Sequence, residues 1–502
     1  MLKALQKLNL SWAFTLPSAS LAAPSNVFVR WLRPLLVLVV VAFVFVTFAR
    51  SLDRIAFLMG DFGAFHCASR VALEHQDMYA TAPMAACESK SMPNSYLTVS
   101  TGGVLPAPIP GYVAAMLFPL GALPFPIAAV ILFAMSLVSI ALASWMFHRL
   151  GVGDWTTFLI ASSILVFGAS LPYGELPPFA LAGLALVAWG ARGFVPWKVA
   201  VGFALTMIEP QIGLAVGLML AILSRRFIAS LAVATIVLGI LSIVAVGISG
   251  NVEYVRTVLP EHLYSELPSV LQFSLSWMLW ATHVPDATAL LLGRLSYVVM
   301  LAVAAGVATT RYAREHREHA VLIAPALVVV GGPFLHCDHI ALALPAALYA
   351  CKLYGRRSPL VLGGLISLAL PALLIFPRPT LIYAVPFIAA LLAAPYAPSR
   401  IIPLRAAAIA IFLFAALGIL AVKTGTGSTV LAGAHTISNT LSQASWGSYV
   451  RHKYVMESWS MWLVKAPTWF GILVTAGASL YATRLGRERL TLRGVQKQLS
   501  LQ

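Results

Sequence analysis

Charged side chains are scarce in this chain. Only 10% of the 502 residues are Asp, Glu, Lys or Arg, whereas 60% are hydrophobic and the mean hydropathy is +0.89. So little charge could not cover the surface of a soluble protein of this length. The many apolar runs also exclude a single membrane anchor, so the composition predicts an all-α polytopic membrane protein.

Acidic residues are the scarcer charge, with 17 Asp and Glu against 33 Lys and Arg and a formal net charge of +16. The basic residues lie in short loops and near both ends of the chain, as the positive-inside rule expects. This distribution argues against a nucleic-acid partner. The membrane and a phosphate-bearing lipid or substrate are the expected partners.

Cysteine is rare, and several catalytic motifs are missing. The four cysteines show no CxxC spacing, which argues against a metal or redox site. Cys67 and Cys87 share one predicted loop, where they either pair in an oxidising compartment or stay as free thiols. No Walker A, GxGxxG, HExxH or GxSxG pattern occurs in a credible context, so a nucleotide-driven or soluble-type hydrolase mechanism is disfavoured.

Apolar runs predict about 12–14 transmembrane helices. The runs lie at about 34–50, 127–147, 155–171, 177–191, 198–224, 228–249, 287–308, 320–335, 340–351, 359–376, 380–395, 401–422 and 467–483. The run 198–224 is interrupted at Glu209-Pro210, because proline breaks a helix and a carboxylate at mid-depth is costly. It therefore predicts two short crossings. The segment from Gly111 to Pro124 is too short to span and is expected to be re-entrant or interfacial.

Threading these crossings places every basic loop and both termini on the cytoplasmic side. The predicted organisation is a lead-in at 1–33, one membrane domain at 34–483 and a basic tail at 484–502. The outer face receives loop 51–126, which contains the re-entrant segment, and loops 250–286 and 423–466.

The same assignment of crossings places the acidic residues that lie nearest to membrane segments on the outer face. These are Asp61, Glu175, Glu209 and Asp338, and they are joined there by His336 and His339. Such a convergence is typical of a functional site. Apolar residues at helical spacing after Asp61 predict a short amphipathic helix on the membrane surface, for which Asp61 is an N-cap, a catalytic base or both.

Other polar residues leave several interpretations open. His336 and His339 suit a metal pair, satisfied polar groups at a helix end, or donors to a phosphate. Gln272 lies beside an aromatic run and is a candidate ligand contact. Trp446, Arg451, His452 and Lys453 fit either an interfacial belt or contacts with sugar and lipid phosphate.

Five segments together resemble one family. They are "GDFGAFHCASRVALEHQDMY", "IPGYVAAMLFPLGALPFPIA", "YGELPPFALAGLAL", "GFALTMIEPQIGLAVGLMLAILSRR" and "FLHCDHIALALPA". In this order, over most of residues 30–350, they resemble glycosyltransferase family 87. Its members are GT-C-class membrane enzymes typified by polyprenol-phosphate-mannose-dependent α-1,2-mannosyltransferases. The chain departs from the family pattern at Gln76, where Gly is usual, at Glu175 in place of Gln, and at Glu209 in place of Lys.

The resemblance implies a GT-C-type helical bundle that transfers a hexose, with mannose as the expected sugar. The donor is a polyprenyl-phosphate-sugar, and the acceptor is a lipid or glycan at the outer face of the bacterial cytoplasmic membrane. The reaction inverts the anomeric centre and requires no metal or other cofactor. Asp61 is the implied general base, and Tyr79, Glu175 and Glu209 are the implied cavity-lining residues.

His339 and His336 are our candidates for donors to the leaving phosphate. The alternative is a multi-pass transporter or flippase of a lipid-linked or small polar substrate. Broken helices and buried acids also suit transporters.

Overall fold

The computed structural model describes residues 60–91, 104–152, 173–269, 271–354, 359–368, 442, 446–447, 465–466 and 468–483. Within these ranges the chain is predominantly helical and contains no β-strand, in agreement with the predicted all-α class. The apolar runs at 34–50, 155–171, 380–395 and 401–422 lie outside the described residues. So do the predicted lead-in, the basic tail and the candidates Arg451, His452 and Lys453.

Sixteen α-helices are numbered here within the described residues. They are α1 Gly60–Leu73, α2 Thr81–Ser91, α3 Gly111–Met116, α4 Phe118–Gly121, α5 Phe125–Arg149, α6 Pro177–Gly193, α7 Pro196–Thr206, α8 Pro210–Leu223, α9 Arg226–Glu253, α10 Leu259–Glu266, α11 Leu275–Trp280, α12 Asp286–Ala308, α13 Arg311–Glu315, α14 Arg317–Gly331, α15 Leu344–Tyr354 and α16 Pro359–Leu368. A π-helical turn, Tyr254–Val258, joins α9 to α10, and a 3-10 helix, His339–Ala343, precedes α15.

Three helical segments are long and apolar enough to cross a membrane: α5, the run Arg226–Glu266 and α12. They carry many exposed apolar side chains, including Val138, Ile236 and Val298. An apolar face without a protein partner is expected where a helix meets lipid. The described helices therefore fit a membrane protein, and the number of crossings stays a prediction.

The interior is built from shorter helices, chiefly α6, α8 and α14. Helices α6 and α7 approach closely at two glycines, since a Cβ on Gly183 would lie 2.7 Å from the Gly202 carbonyl oxygen. Small residues allow this backbone approach between apolar helices. The predicted break at Glu209-Pro210 is confirmed: α7 ends at Thr206 and α8 begins at Pro210.

The segment expected to be re-entrant consists of the two short helices α3 and α4. A six-residue helix rises about 9 Å, far less than the membrane thickness. Gly111 packs against Ser242 and Val246 of α9, and Gly121 packs against Ser69 of α1. The segment is therefore wedged between other helices.

The predicted outer loop 250–286 contains the π-helical turn, α10 and α11. Helix α9 is interrupted at Gly247, whose φ of 68° is readily adopted by glycine. The Asn251 amide donates to the Gly247 carbonyl at 2.6 Å, and Ser242 bonds to the Asn251 side chain. These polar contacts satisfy the backbone group that the break releases.

Helix α1 differs from the predicted amphipathic surface helix. Residues 62–69 are buried on every face of the helix, as are Val71 and Ala72, and only Arg70, Leu73 and residues 74–77 are exposed. A disulfide between Cys67 and Cys87 joins α1 to α2, which settles the two alternatives for these thiols in favour of pairing. The sequence could not decide this, because pairing depends on how the two helices pack.

Candidate functional site

The turn before α6, the segment before α15 and the C-terminal end of α10 carry the charged and polar groups that act on Asp61. The Phe62 amide donates to the Tyr173 carbonyl at 3.0 Å and fastens the start of α1 to the turn that precedes α6. That turn carries Glu175, and Gly174 supplies its positive φ of 75°. Asp61 lies in the first turn of α1, where the helix dipole favours a carboxylate.

Asp61 and Glu175 are hydrogen bonded through their carboxyl groups. Burial raises the pKa of Asp61 to about 6, although the bond from Glu175 and the charge of His336 oppose the rise. Burial, followed by the charge of Asp61, raises the pKa of Glu175 well above its usual range. The shared hydrogen bond lowers the pKa of Asp61 and raises that of Glu175, as expected when Glu175 is the donor and Asp61 the acceptor. Asp61 remains partly exposed, so another molecule can reach it.

His339 is held through both of its ring nitrogens. Its Nδ1 accepts the backbone N–H of His336 at 3.0 Å, and its Nε2 lies 2.9 Å from Glu209 Oε2. Asp338 Oδ1 is 3.9 Å from Nδ1. These contacts match the open interpretation in which His339 is a satisfied polar group at a helix start. A phosphate would have to displace Glu209 to receive the Nε2 proton.

His336 pairs with Glu266, which is a site residue that we did not predict. His336 Nε2 lies 3.2 Å from Glu266 Oε2, and the Trp446 indole N–H donates to Glu266 Oε1. Glu266 is buried at the C-terminal end of α10, where a negative charge is unfavourable without such donors. One sequence signal could have found it: "YSELP" at 264–268 repeats the Tyr-x-Glu-Leu-Pro pattern of "YGELP" at 173–177.

Gln272 holds the histidine segment in place. Its Oε1 accepts the Leu335 amide at 3.1 Å, and the neighbouring Phe273 amide donates to the Leu335 carbonyl at 2.7 Å. The buried Lys465 ammonium donates to the Gln272 carbonyl and lies 3.3 Å from the Trp277 ring centroid. The ligand contact of Gln272 stays a prediction, and its side-chain oxygen accepts the Leu335 amide.

Tyr79 lies apart from the acidic cluster. Its hydroxyl donates to the Ile109 carbonyl at 3.1 Å, and its ring stacks on Tyr254 at 5.9 Å. Neither contact joins Tyr79 to Asp61. Of the four candidates in 423–466, only Trp446 lies in the described residues, and it contacts the cluster through Glu266.

Two compact groups of metal-type ligands occur among the described residues, and neither includes His336 or His339. One is His66, Cys67 and Cys87, whose sulfurs are joined as a disulfide, and the other is His316, Glu318 and His319. His336 and His339 are each engaged with a carboxylate instead. The hydrogen-bonded carboxyl pair of Asp61 and Glu175 is suited to proton transfer and to hydrogen bonding of hydroxyl groups.

The fold and the site define a helical protein of membrane type with an acid-rich polar cluster inside it. Comparisons with protein-family models, with curated proteins and with solved structures found no match to this chain.

Proposed function

We propose that this protein is a membrane glycosyltransferase. It moves a hexose, with mannose as the expected sugar, from a polyprenyl-phosphate-sugar to a lipid or glycan acceptor. The observation that carries the proposal is Asp61, a partly exposed carboxylate whose pKa is raised to about 6. A general base works best when its pKa lies near the operating pH and when its substrate can reach it.

In this mechanism Asp61 accepts the proton of the acceptor hydroxyl as that oxygen attacks the anomeric carbon. The bond from the anomeric carbon to the phosphate oxygen breaks, and the polyprenyl phosphate leaves. Glu175 donates a hydrogen bond to Asp61 and orients it. The remaining acids suit sugar hydroxyls, which donate hydrogen bonds to carboxylates.

The donor phosphate needs cations, and His339 is the candidate inside the cluster: burial lowers its pKa, but the charges of Asp338 and Glu209 outweigh this and raise it to about 9. Arg451, His452 and Lys453, in the segment that follows Trp446, are candidates for contact with the acceptor or with lipid phosphate. Trp446 contacts Glu266 at the cluster, so this segment begins beside the proposed reaction centre.

The disulfide supports an extracytoplasmic site. Disulfides persist in oxidising compartments and are rare in the cytosol. Because Cys67 lies less than two helical turns after Asp61 on α1, an outward-facing α1 would place Asp61 on the outer face as well.

The test uses purified protein with polyprenyl-phosphate-mannose and a membrane acceptor fraction. We expect Asp61→Asn to lower the rate of product formation at least about 100-fold, since the amide cannot accept the proton. Glu74→Gln is the matched control, because Glu74 is an exposed residue that follows the same helix. An Asp61→Asn variant that forms product at the wild-type rate would refute the assignment of the base.

A proton-coupled transporter is the second candidate, and the carboxyl pair of Asp61 and Glu175 is the observation that favours it. Carboxyl groups that exchange a proton within a membrane protein are typical of pumps and transporters. Sealed vesicles distinguish the two functions. Sugar accumulation with no glycosylated product would support transport and contradict the transferase.

A further inference from the structure

A second polar cluster lies at the opposite end of α14 from Asp61. It consists of His316, Glu318 and His319, where α13 meets α14. The 15 residues of α14 separate it from the His336 segment by about 22 Å of helix. None of its members belongs to the acidic cluster.

The three side chains are placed as ligands to one ion would be. One donor atom from each lies within 4.8 Å of the other two. Two nitrogens bound to one zinc ion at about 2.1 Å lie at most about 4.2 Å apart. The three donor atoms therefore already lie close to the spacing that one bound ion requires.

His319 provides an independent observation. Both of its ring nitrogens are shielded from solvent and have no hydrogen-bond partner among the described residues. A shielded polar atom without a partner costs about 1–3 kcal/mol, so such atoms are unusual in a folded protein. A bound cation would satisfy the nitrogen that faces His316 and Glu318.

The surroundings hold the His319 ring in a fixed orientation. It stacks on Tyr349 of α15 with ring centroids 3.7 Å apart, and Tyr349 is hydrogen bonded to Tyr312 at 3.0 Å. The His316 ring is inclined by 29° to that of His319, with 6.0 Å between centroids.

The charges near His319, the types of the three ligands and the exposure of His316 indicate which ion the group would bind. Lys352 and Arg192 act on His319 and oppose any cation, whereas Glu318 offsets them with one negative charge. Two imidazoles and one carboxylate suit zinc and similar first-row divalent ions better than Mg²⁺ or Ca²⁺, which prefer oxygen ligands. His316 is exposed, so an ion can enter from solvent.

We propose that His316, Glu318 and His319 bind one divalent transition-metal ion of the zinc type, at the end of α14 remote from the acidic cluster. The three protein ligands leave a fourth position for water or for an exogenous ligand. The ion would tie the α13–α14 junction to α15 through the stacked Tyr349.

The experiment uses full-length protein that is purified in detergent through a tag without histidine. The protein is stripped of metal and is then titrated with Zn²⁺ and with Co²⁺. We expect one equivalent of Zn²⁺ per chain and a visible Co²⁺ absorption band indicating low coordination number. His319→Ala and Glu318→Gln should each lose both. His283→Ala, an exposed histidine outside the group, should lose neither.

Helical circular dichroism and size-exclusion profiles identify variants that fail to fold. Glu318→Gln preserves the shape of the side chain and stands in if His319→Ala misfolds. Zinc stoichiometry that is unchanged in a folded Glu318→Gln or His319→Ala variant would overturn the proposal. Wild-type protein that takes up no more Zn²⁺ than these variants would overturn it equally.

Discussion

His339 Nε2 lies 2.9 Å from Glu209 Oε2, so one polar contact joins the break before α8 to the segment before α15. Both side chains are buried, and their elements are far apart in the sequence. The contact explains how a glutamate is tolerated at a helix break in so apolar a chain, because a buried acid needs a partner.

Glu209→Leu should lower the free energy of unfolding by about 1–3 kcal/mol, since it leaves the His339 N–H without its acceptor. Glu209→Gln retains an acceptor oxygen and should cost less. The measurement is thermal unfolding of both variants in detergent. Equal losses for Leu and Gln would show that the hydrogen bond contributes little.

The rate of the proposed transfer should rise with pH, with a midpoint near 6. The pKa of Asp61 is raised from 3.8 to about 6 by burial, and only its ionised form accepts a proton. The measurement is the pH profile of kcat/KM for wild-type protein. A rate that stays constant from pH 5 to pH 7, one unit on each side of that value, would contradict Asp61 as the titrating base.

The contribution of Asp61 to folding stability should fall as pH rises, whereas the rate of the proposed transfer should increase. Because the folded state raises the pKa of Asp61, it favours the protonated form, so this contribution to stability is lost as pH rises from about 4 to about 6. Asp61→Asn should flatten that part of the plot of Tm against pH. Glu74→Gln should leave it unchanged.

Glu175 should determine where the midpoint of the rate profile falls. Its hydrogen bond lowers the pKa of Asp61, so Glu175→Leu should move the midpoint upward. Glu175→Gln retains an N–H donor and should leave the midpoint closer to wild type. If the Leu variant moved the midpoint downward, the direction of the hydrogen bond would be wrong.

His336 and Glu266 should be energetically coupled. A double-mutant cycle with His336→Ala and Glu266→Ala should give an interaction free energy of at least about 0.5 kcal/mol, as measured for residues that share a hydrogen bond. A parallel cycle with Glu266→Ala and His283→Ala is the control. Coupling that is no larger than in this control would argue against the pair.

The disulfide should contribute to stability and not to chemistry. The double variant Cys67→Ser, Cys87→Ser should lose about 2–4 kcal/mol of unfolding free energy. A reducing agent should lower the Tm of the wild-type protein and leave that of the variant unchanged. A variant that is as stable as wild type would show that packing alone holds α1 against α2.

The positions of the charged residues along the sequence predicted more of the candidate site than the local spacing of apolar residues did. The rule that basic loops face the cytoplasm grouped Asp61, Glu175, Glu209 and the two histidines, and the structure brings these together. The rule could not find Glu266, because it lies in a segment that looked like a solvated loop and is a buried helix end.

Local pattern failed where tertiary contacts decide. The apolar spacing of α1 indicated a surface helix, and neighbouring segments bury residues 62–69 on every face. Gln272 is of a residue type that often contacts ligands, but its side-chain oxygen accepts a hydrogen bond from a backbone amide 63 residues away. The sequence contains no signal for either outcome, since both depend on segments that are distant along the chain.

The bond from Ser442 to the Tyr79 carbonyl spans 363 residues. At about 5–20 residues per second, synthesis takes roughly 20–70 s to pass from one residue to the other. Trp446 and Lys465, which hold Glu266 and Gln272, emerge later still. During that interval the nascent chain contains Asp61 but not Ser442, Trp446 or Lys465. The earlier helices therefore remain incompletely packed until the last segments have been synthesised.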